Sequence, residues 1–416
     1  MAQLGKEAET GGMSDESAWA RDARRDAADR LDATGLPKRK DEYWKFTRPD
    51  GFMTPSVEAD LLGKETSTVY RGVDRVKVKC VDGKFKIPAN GQKHLQMQRL
   101  SEALRDDGHW AESLFAKLES RAQKYVPRPF AVLNTTRAIE GLAIRASGPV
   151  ANPVGVNYRR KSRLSDVFVR HVIKVESGAS LTFLEAGPAA ARLNKVIEVD
   201  IADGGTFRHV CIQGRDHERF HAGHVFARLG ESSSLKSFTL TANGKLTRNE
   251  FVVELDGDRG RAHISGAAIG DGEFHHDDTV FVEHTGAHCE SRQVFKKVLR
   301  NGATGVFQGK VLVNPGAQKT DGYQISQALL LDEDSQFLAK PELEIYADDV
   351  ACSHGSTCGA LDGDALFYLR SRGIPLADAK NILTMSFLAD VLSEIDDERL
   401  ATGVAELLED WLSRHR

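Results

Sequence analysis

The nine residues Ala351-Cys352-Ser353-His354-Gly355-Ser356-Thr357-Cys358-Gly359 set two thiols and one imidazole close together. Thiolates favour zinc, iron and iron–sulfur clusters, and imidazole suits zinc and iron. Three such donors cannot close a four-ligand structural site by themselves, so a metal bound here needs donors from elsewhere. On an extended backbone, residues two apart project to one side, which groups Cys352 with His354. Gly355 leaves the direction of Cys358 open. The plainer reading is two small, semi-apolar cysteines buried at a domain junction.

Histidine offers further candidates. Nine of the fourteen lie between 209 and 288: His209, His217, His221, His224, His263, His275, His276, His284 and His288. His217-Glu218-Arg219-Phe220-His221 formally matches His-Glu-x-x-His, which binds zinc only on a helix that puts both imidazoles on one face. No helical periodicity surrounds it, so a polar strand or corner is expected. On a strand, His284 and His288 would share a face and Cys289 would point away; a polar face or interface is expected there rather than a metal. His275-His276-Asp277-Asp278 cannot converge on a strand without a bulge, and a surface loop is expected. Asn134-Thr135-Thr136 is a glycosylation sequon, without meaning inside the cytoplasm. The chain has no Gly-x-Gly-x-x-Gly or Walker loop and no Gly-x-Ser-x-Gly elbow, so ATP hydrolysis by this chain is not expected.

These residues need a frame. Between 138 and 346, short extended segments such as Leu181-Thr182-Phe183-Leu184 and Phe251-Val252-Val253-Glu254-Leu255 follow one another with almost no helical pattern. Gly178, Gly204, Gly230, Gly260 and Gly286 recur at steps of 26, 26, 30 and 26. Glycine permits the positive φ of a tight corner, so a periodic glycine suggests a periodic corner. A coiled parallel β-solenoid fits, with about 13–15 residues per rung if each step covers two rungs. A β-sandwich or barrel is the alternative left open by the pattern.

Helical segments flank this region. Ser14 is a candidate cap for a helix carrying Trp19, Ala23, Ala27 and Leu31 on one face, ended by Gly35 and Pro37. A second helix is expected over 98–124, with Trp110, Leu114 and Leu118 aligned. Between them, Val76-Lys77-Val78-Lys79-Cys80-Val81 alternates like a strand and Asp82-Gly83 marks a turn. After Asp362, a helix is expected over 364–372, closed by Gly373 and Pro375. The last helix aligns Leu400, Val404, Leu407, Leu408, Trp411 and Leu412, which suits either a cap over the solenoid end or a docking surface. The expected division is a disordered leader over 1–13, a helical domain over 14–130 with a small extended segment, a β-core over 131–346 and a helical domain over 347–416.

Composition narrows the function. A net charge of −4 gives no reason to expect nucleic acid. Five scattered cysteines are a poor disulfide framework and suit a reducing, cytoplasmic setting. No signal peptide or membrane-spanning run is expected.

Asp349 to Thr357, running into Leu366-Phe367-Tyr368-Leu369-Arg370-Ser371-Arg372-Gly373-Ile374, resembles the C-terminal signature of the SufB/SufD family of iron–sulfur cluster assembly proteins. Gly35-Leu36-Pro37 with Glu42-Tyr43-Trp44-Lys45-Phe46-Thr47 resembles the N-terminal signature of the SufD branch, and Pro129 to Thr135 is a third match. Gly355 stands where SufB proteins typically carry glutamate, which also looks like SufD. The resemblance implies a right-handed parallel β-helix between helical domains. It implies pairing with SufB, docking of the ATPase SufC through the C-terminal helices, and a non-catalytic scaffold role. It also implies that Cys352 and His354 contribute to a nascent, transient iron–sulfur cluster shared with SufB. No cofactor is expected to stay bound to the isolated chain, which is expected to form a homodimer if it substitutes for its partner. Competing readings are a β-helical carbohydrate-active enzyme, a zinc hydrolase at His217, Glu218 and His221, and a purely structural platform.

Overall fold

The computed structural model describes residues 15–54, 58, 69–89, 91–214 and 218–414. From β4 (Glu140–Ala146) onward the chain winds into a parallel β-solenoid of about seven turns, with helices toward both termini. Each turn contributes one strand to each of two sheets. One sheet stacks β5 (Val154–Arg159), β7 (Ser180–Ala186), β9 (Thr206–Gln213), β11 (Ser234–Ala242), β13 (Arg261–Asp271), β15 (Glu290–Arg300), β17 (Asp321–Leu330) and β19 (Ala351–Gly359). The other stacks β4, β6 (Asp166–Val175), β8 (Arg192–Ile201), β10 (Phe220–Leu229), β12 (Leu246–Leu255), β14 (His275–His284), β16 (Thr304–Val313) and β18 (Gln336–Ile345). The hairpin of β1 (Val76–Val81) and β2 (Lys84–Lys86) and the antiparallel β3 (Leu95–Arg99) close the first turn. Solenoid, not sandwich, is therefore the fold. Asp166, Arg192, Phe220, Leu246, His275, Thr304 and Gln336 stand in register, so each 26- to 32-residue step is one full coil of two strands.

Of the five periodic glycines only Gly178 and Gly204 carry positive φ; Gly230, Gly260 and Gly286 sit near the same corner without it. At six successive corners from an even- to an odd-numbered strand, one residue adopts left-handed backbone: Gly178 and Gly204, both at φ 66°, then Ser232, Arg259, His288 and Lys319 at φ 54–61°. These corners are stitched coil to coil: the Gly204 N–H donates to Glu231 O, Ser232 to Asp258, Arg259 to Ala287, His288 to Gln318 and Lys319 to Asp349. A continuous ladder holds side-chain-bearing residues in a conformation that glycine adopts without strain.

Inside, alternate residues form an apolar core that includes Phe183, Phe207, Phe251, Val253, Phe295 and Phe307. Outside, the even-numbered sheet is covered by N-terminal chain, and the odd-numbered sheet by the C-terminal helices together with Val69, Tyr70 and Val73. α1 (Ala18–Thr34), α2 (Asp50–Met53), α3 (Leu100–Ala103), α4 (Lys117–Ala122) and α5 (Pro129–Arg137) lie against the sheet of even-numbered strands. Gly35 closes α1 at φ 70° as expected, whereas Ser14 falls outside the described residues. The single helix expected over 98–124 is broken into α3, a 3-10 turn at Trp110–Ser113 and α4. Left-handed backbone at Gly108 (φ 83°) and Ala116 (φ 62°) interrupts it. The aligned Leu114 and Leu118 are nevertheless buried.

Tyr43 to Thr47 strap this flank through buried charge. Asp277 accepts from Thr47 and pairs with Arg248, whose guanidinium lies 4.4 Å over the Trp44 ring. Glu250 pairs with Arg128 at 2.7 Å. The strap reaches β18, where Lys340 donates to Glu42 at 2.7 Å and the Tyr43 hydroxyl donates to Glu342 at 2.6 Å.

At the other terminus α6 (Gly363–Ser371), α7 (Leu376–Leu392) and α8 (Glu398–Arg414) follow β19. The Asp362 carboxylate accepts from the backbone N–H groups of Asp364 and Ala365, the expected cap. The apolar stripe of α8 and Leu388 and Val391 of α7 pack on the outer face of the odd-numbered sheet, against residues such as Leu240 and Ile269. These helices cover the flank and leave the terminal strands β18 and β19 as sheet edges.

Candidate functional site

Among the described residues β19 pairs only with β17, so one of its backbone edges carries no strand. Cys352, His354, Ser356 and Cys358 stand opposite Gly322, Gln324, Ser326 and Ala328, all buried and facing the solenoid interior. By strand alternation the four β19 side chains point the same way, into the mouth of the last coil. Cys352 is half-buried against the interior residues Val311 and Leu343. Gly322 makes room for it: a Cβ there would lie 3.2 Å from the Cys352 sulfur. His354 and Cys358 are exposed because no further coil covers them. Ser356 is tied down by a 2.8 Å hydrogen bond to Ser326.

The pairing of Cys352 with His354 on one side holds. Gly355 does not turn the strand, so Cys358 shares that side as well. At about 3.3 Å per residue, Cys358 is about 20 Å from Cys352 and about 13 Å from His354, too far for one ion to join them. Cys352 and His354 are about 7 Å apart along the strand, within reach of a common cluster. Burial pushes the Cys352 thiol upward, against a smaller opposing effect of the Gly322 backbone N–H.

The other histidine candidates separate. His221 is buried on β10, in a strand and not the helix that a zinc motif requires, and His217 lies outside the described residues. His284 ends β14 and bonds Ser291 at 2.8 Å, while His288 is a left-handed corner residue, so the two share no strand face. His275 to Asp278 form buried strand rather than a surface loop. Asp277 faces the N-terminal strap, and His276 and Asp278 face the lumen, where Lys297 bonds both.

That lumen contains a second polar cluster. The Glu185 carboxylate accepts from Tyr158 at 2.5 Å and from Lys195 at 2.6 Å, and lies 2.9 Å from His209 Nε2. Burial raises the Glu185 carboxyl, but Lys195, His209 and His171 outweigh it and hold the group well below the usual carboxylate range. Burial pushes the Cys211 thiol to about 11 despite Lys195 nearby. Sequence reading counted His209 and His221 but did not join them to Glu185, Lys195 and Cys211. Only the shared inward parity of several strands brings these residues together.

A parallel solenoid flanked by terminal helices, with a thiol and an imidazole at its exposed last coil, is a scaffold with an unfinished end. Residues 158–387, more than half of the chain, match the family model described as "SUF system FeS cluster assembly, SufBD core domain". The chain belongs to this family of iron–sulfur cluster assembly proteins. It is 27% identical over 390 residues to "Iron-sulfur cluster assembly protein SufD" of Escherichia coli, covering 89% of this chain and 88% of that protein. It is 25% identical over 424 residues to the protein of the same name from Bacillus subtilis, covering 95% and 94%. A SufBD family protein of Mycobacterium leprae is 31% identical over 380 residues, covering 88% of each chain. Among the described residues, no helix is long and apolar enough to cross a membrane.

Proposed function

We propose that the chain is a SufD-like, non-catalytic scaffold subunit whose last coil docks on SufB, with Cys352 and His354 contributing to a nascent iron–sulfur cluster at that interface. The observation that carries this reading is the unpaired edge of β19, which presents both donors where a second chain can complete the ligand set. An unpaired parallel edge is a template for strand pairing, and Ile345 and Tyr346, beside it at the end of β18, are exposed apolar residues. Two protein donors are too few for a stable cluster, which suits a cluster that forms in the complex and leaves. Without SufB, the same edge pairs with a second copy of the chain. SufC docks on α6, which buries none of its residues and exposes Phe367 at 73% and Tyr368 at 57%. All five cysteines are unpaired, as a cytoplasmic setting favours.

The test is anaerobic reconstitution with SufB and SufC. The wild-type complex should acquire the visible absorption of a cluster, and Cys352→Ala with His354→Ala should lose it while the three chains still co-purify. Cluster formation at the wild-type rate in the double variant would sink the reading.

A further inference from the structure

We infer that the solenoid lumen contains a divalent-metal site formed by Glu185, His209 and Cys211. Each side chain offers one donor atom, and the three atoms lie within 4.8 Å of one another. Strand geometry brings them together. Glu185 on β7 stands directly opposite Cys211 on β9, and His209 precedes Cys211 by two residues on the same face. All three are buried. One carboxylate, one imidazole and one thiolate suit zinc, cobalt or ferrous iron, and three protein donors leave a fourth position open. The His209 ring is held from behind, with Nδ1 3.0 Å from Ser237 Oγ. Such support fixes the tautomer and aim of a metal-ligating imidazole.

The Lys195 ammonium lies 2.6 Å from Glu185 and 3.8 Å from Cys211, where it competes with a cation for the same donors. A salt bridge accounts for Lys195 and Glu185 but does not call for the thiol. Beside the cluster is a cavity of about 10 Å3, lined by Lys195, Gln213, Arg219 and His221. This is room for about one water molecule, and the ammonium must shift toward it for an ion to bind. A divalent ion then bonds the Cys211 sulfur, the thiol proton leaves to solvent, and no electron is transferred. The site is distinct from Cys352 and His354: β9 is five strand spacings from β19, about 24 Å.

The test uses the full chain carrying Cys352→Ser and Cys358→Ser, freed of metal and titrated anaerobically with cobalt(II). One cobalt per chain should bind, with thiolate-to-cobalt charge-transfer absorption. Adding Cys211→Ser should abolish that absorption and weaken binding at least about tenfold. Adding Lys195→Met instead should tighten binding, because the competing ammonium is gone. Circular dichroism checks that each variant is folded. No charge-transfer band in the parent, a band surviving Cys211→Ser, or no tightening in Lys195→Met would overturn the site. Should Cys211→Ser fail to fold, the parent and Lys195→Met titrations still decide.

Discussion

His354 stands directly opposite Gln324 in the parallel pairing of β19 with β17. Gln324 is fully buried, and among the described residues neither polar atom of its amide finds a hydrogen-bond partner. The same holds for Gln293, the next residue along that inward row. The floor beneath the imidazole is thus a stack of two unsatisfied amides.

An unsatisfied buried polar group costs about 1–3 kcal/mol, and an apolar group of similar shape removes that cost. Gln324→Leu is therefore expected to leave stability unchanged or raise it by about 1 kcal/mol in denaturant titrations. A loss of more than about 2 kcal/mol would show that the amide is bonded in solution, to water held in the lumen.

The N-terminal strap depends on Asp277. Removing one partner of a buried ion pair costs about 3–5 kcal/mol, because the other charge stays buried. Asp277→Ala leaves Arg248 only Glu250, at 3.4 Å and shared with Arg128, and the Tyr43 carbonyl, and also removes the acceptor of Thr47. Denaturant titration should record a loss of that size, and limited proteolysis should cut between Gly35 and Met53 faster than in wild type. A loss below about 1 kcal/mol would mean that Glu250 alone compensates the Arg248 charge.

Burial lowers His171 to about 3 and His224 and His284 to about 4. Unfolded histidine titrates near 6.5, so between about pH 6.5 and 4 the unfolded chain binds protons that the folded chain does not. Stability must then fall as pH falls, by about 1.4 kcal/mol per pH unit for each histidine. Glu185 works further down: its folded value is depressed, so its contribution is full above the unfolded carboxyl range and is lost as pH falls from there through the folded value. Replacing His284 with Gln should flatten the slope across pH 6.5–4 by one proton. An unchanged slope would mean that His284 is already charged in the folded state.

Phe367 and Tyr368 extend the SufC proposal. Phe367→Asp with Tyr368→Asp should change stability by no more than about 0.5 kcal/mol, as exposed positions do, yet reduce co-purification of SufC at least about tenfold. Unchanged co-purification would move the docking surface off α6. The apolar stripe of α8 is not the alternative, since Leu400, Val404, Leu408, Trp411 and Leu412 are buried.

Some of this architecture was readable from residue spacing and some was not. Gly178 and Gly204 mark the corner because glycine is the cheapest left-handed residue. Beyond them Ser232, Arg259, His288 and Lys319 hold the same backbone, and the signal passes into hydrogen bonds that no composition records. Cys352 and His354 could be grouped because the side-chain alternation of a strand is local. His275 to Asp278 form strand where a loop is expected because the charges are neutralised from other strands, Asp277 by Arg248 of β12 and Asp278 by Lys297 of β15. The α8 stripe announced burial but not its partner. It covers the flank, and that choice leaves the last coil uncovered.

The bonds from Glu42 to Lys340 and from Tyr43 to Glu342 join residues nearly 300 positions apart. A stack in which each coil touches only its neighbours frays from its ends one coil at a time. Here the strap acts as a tie-rod, fastening the penultimate strand to the first helical segments of the chain. Releasing β18 therefore also means breaking its bonds to the amino-terminal segment, so the penultimate strand, from which the chain runs on into the strand of Cys352 and His354, is anchored from the far end of the sequence.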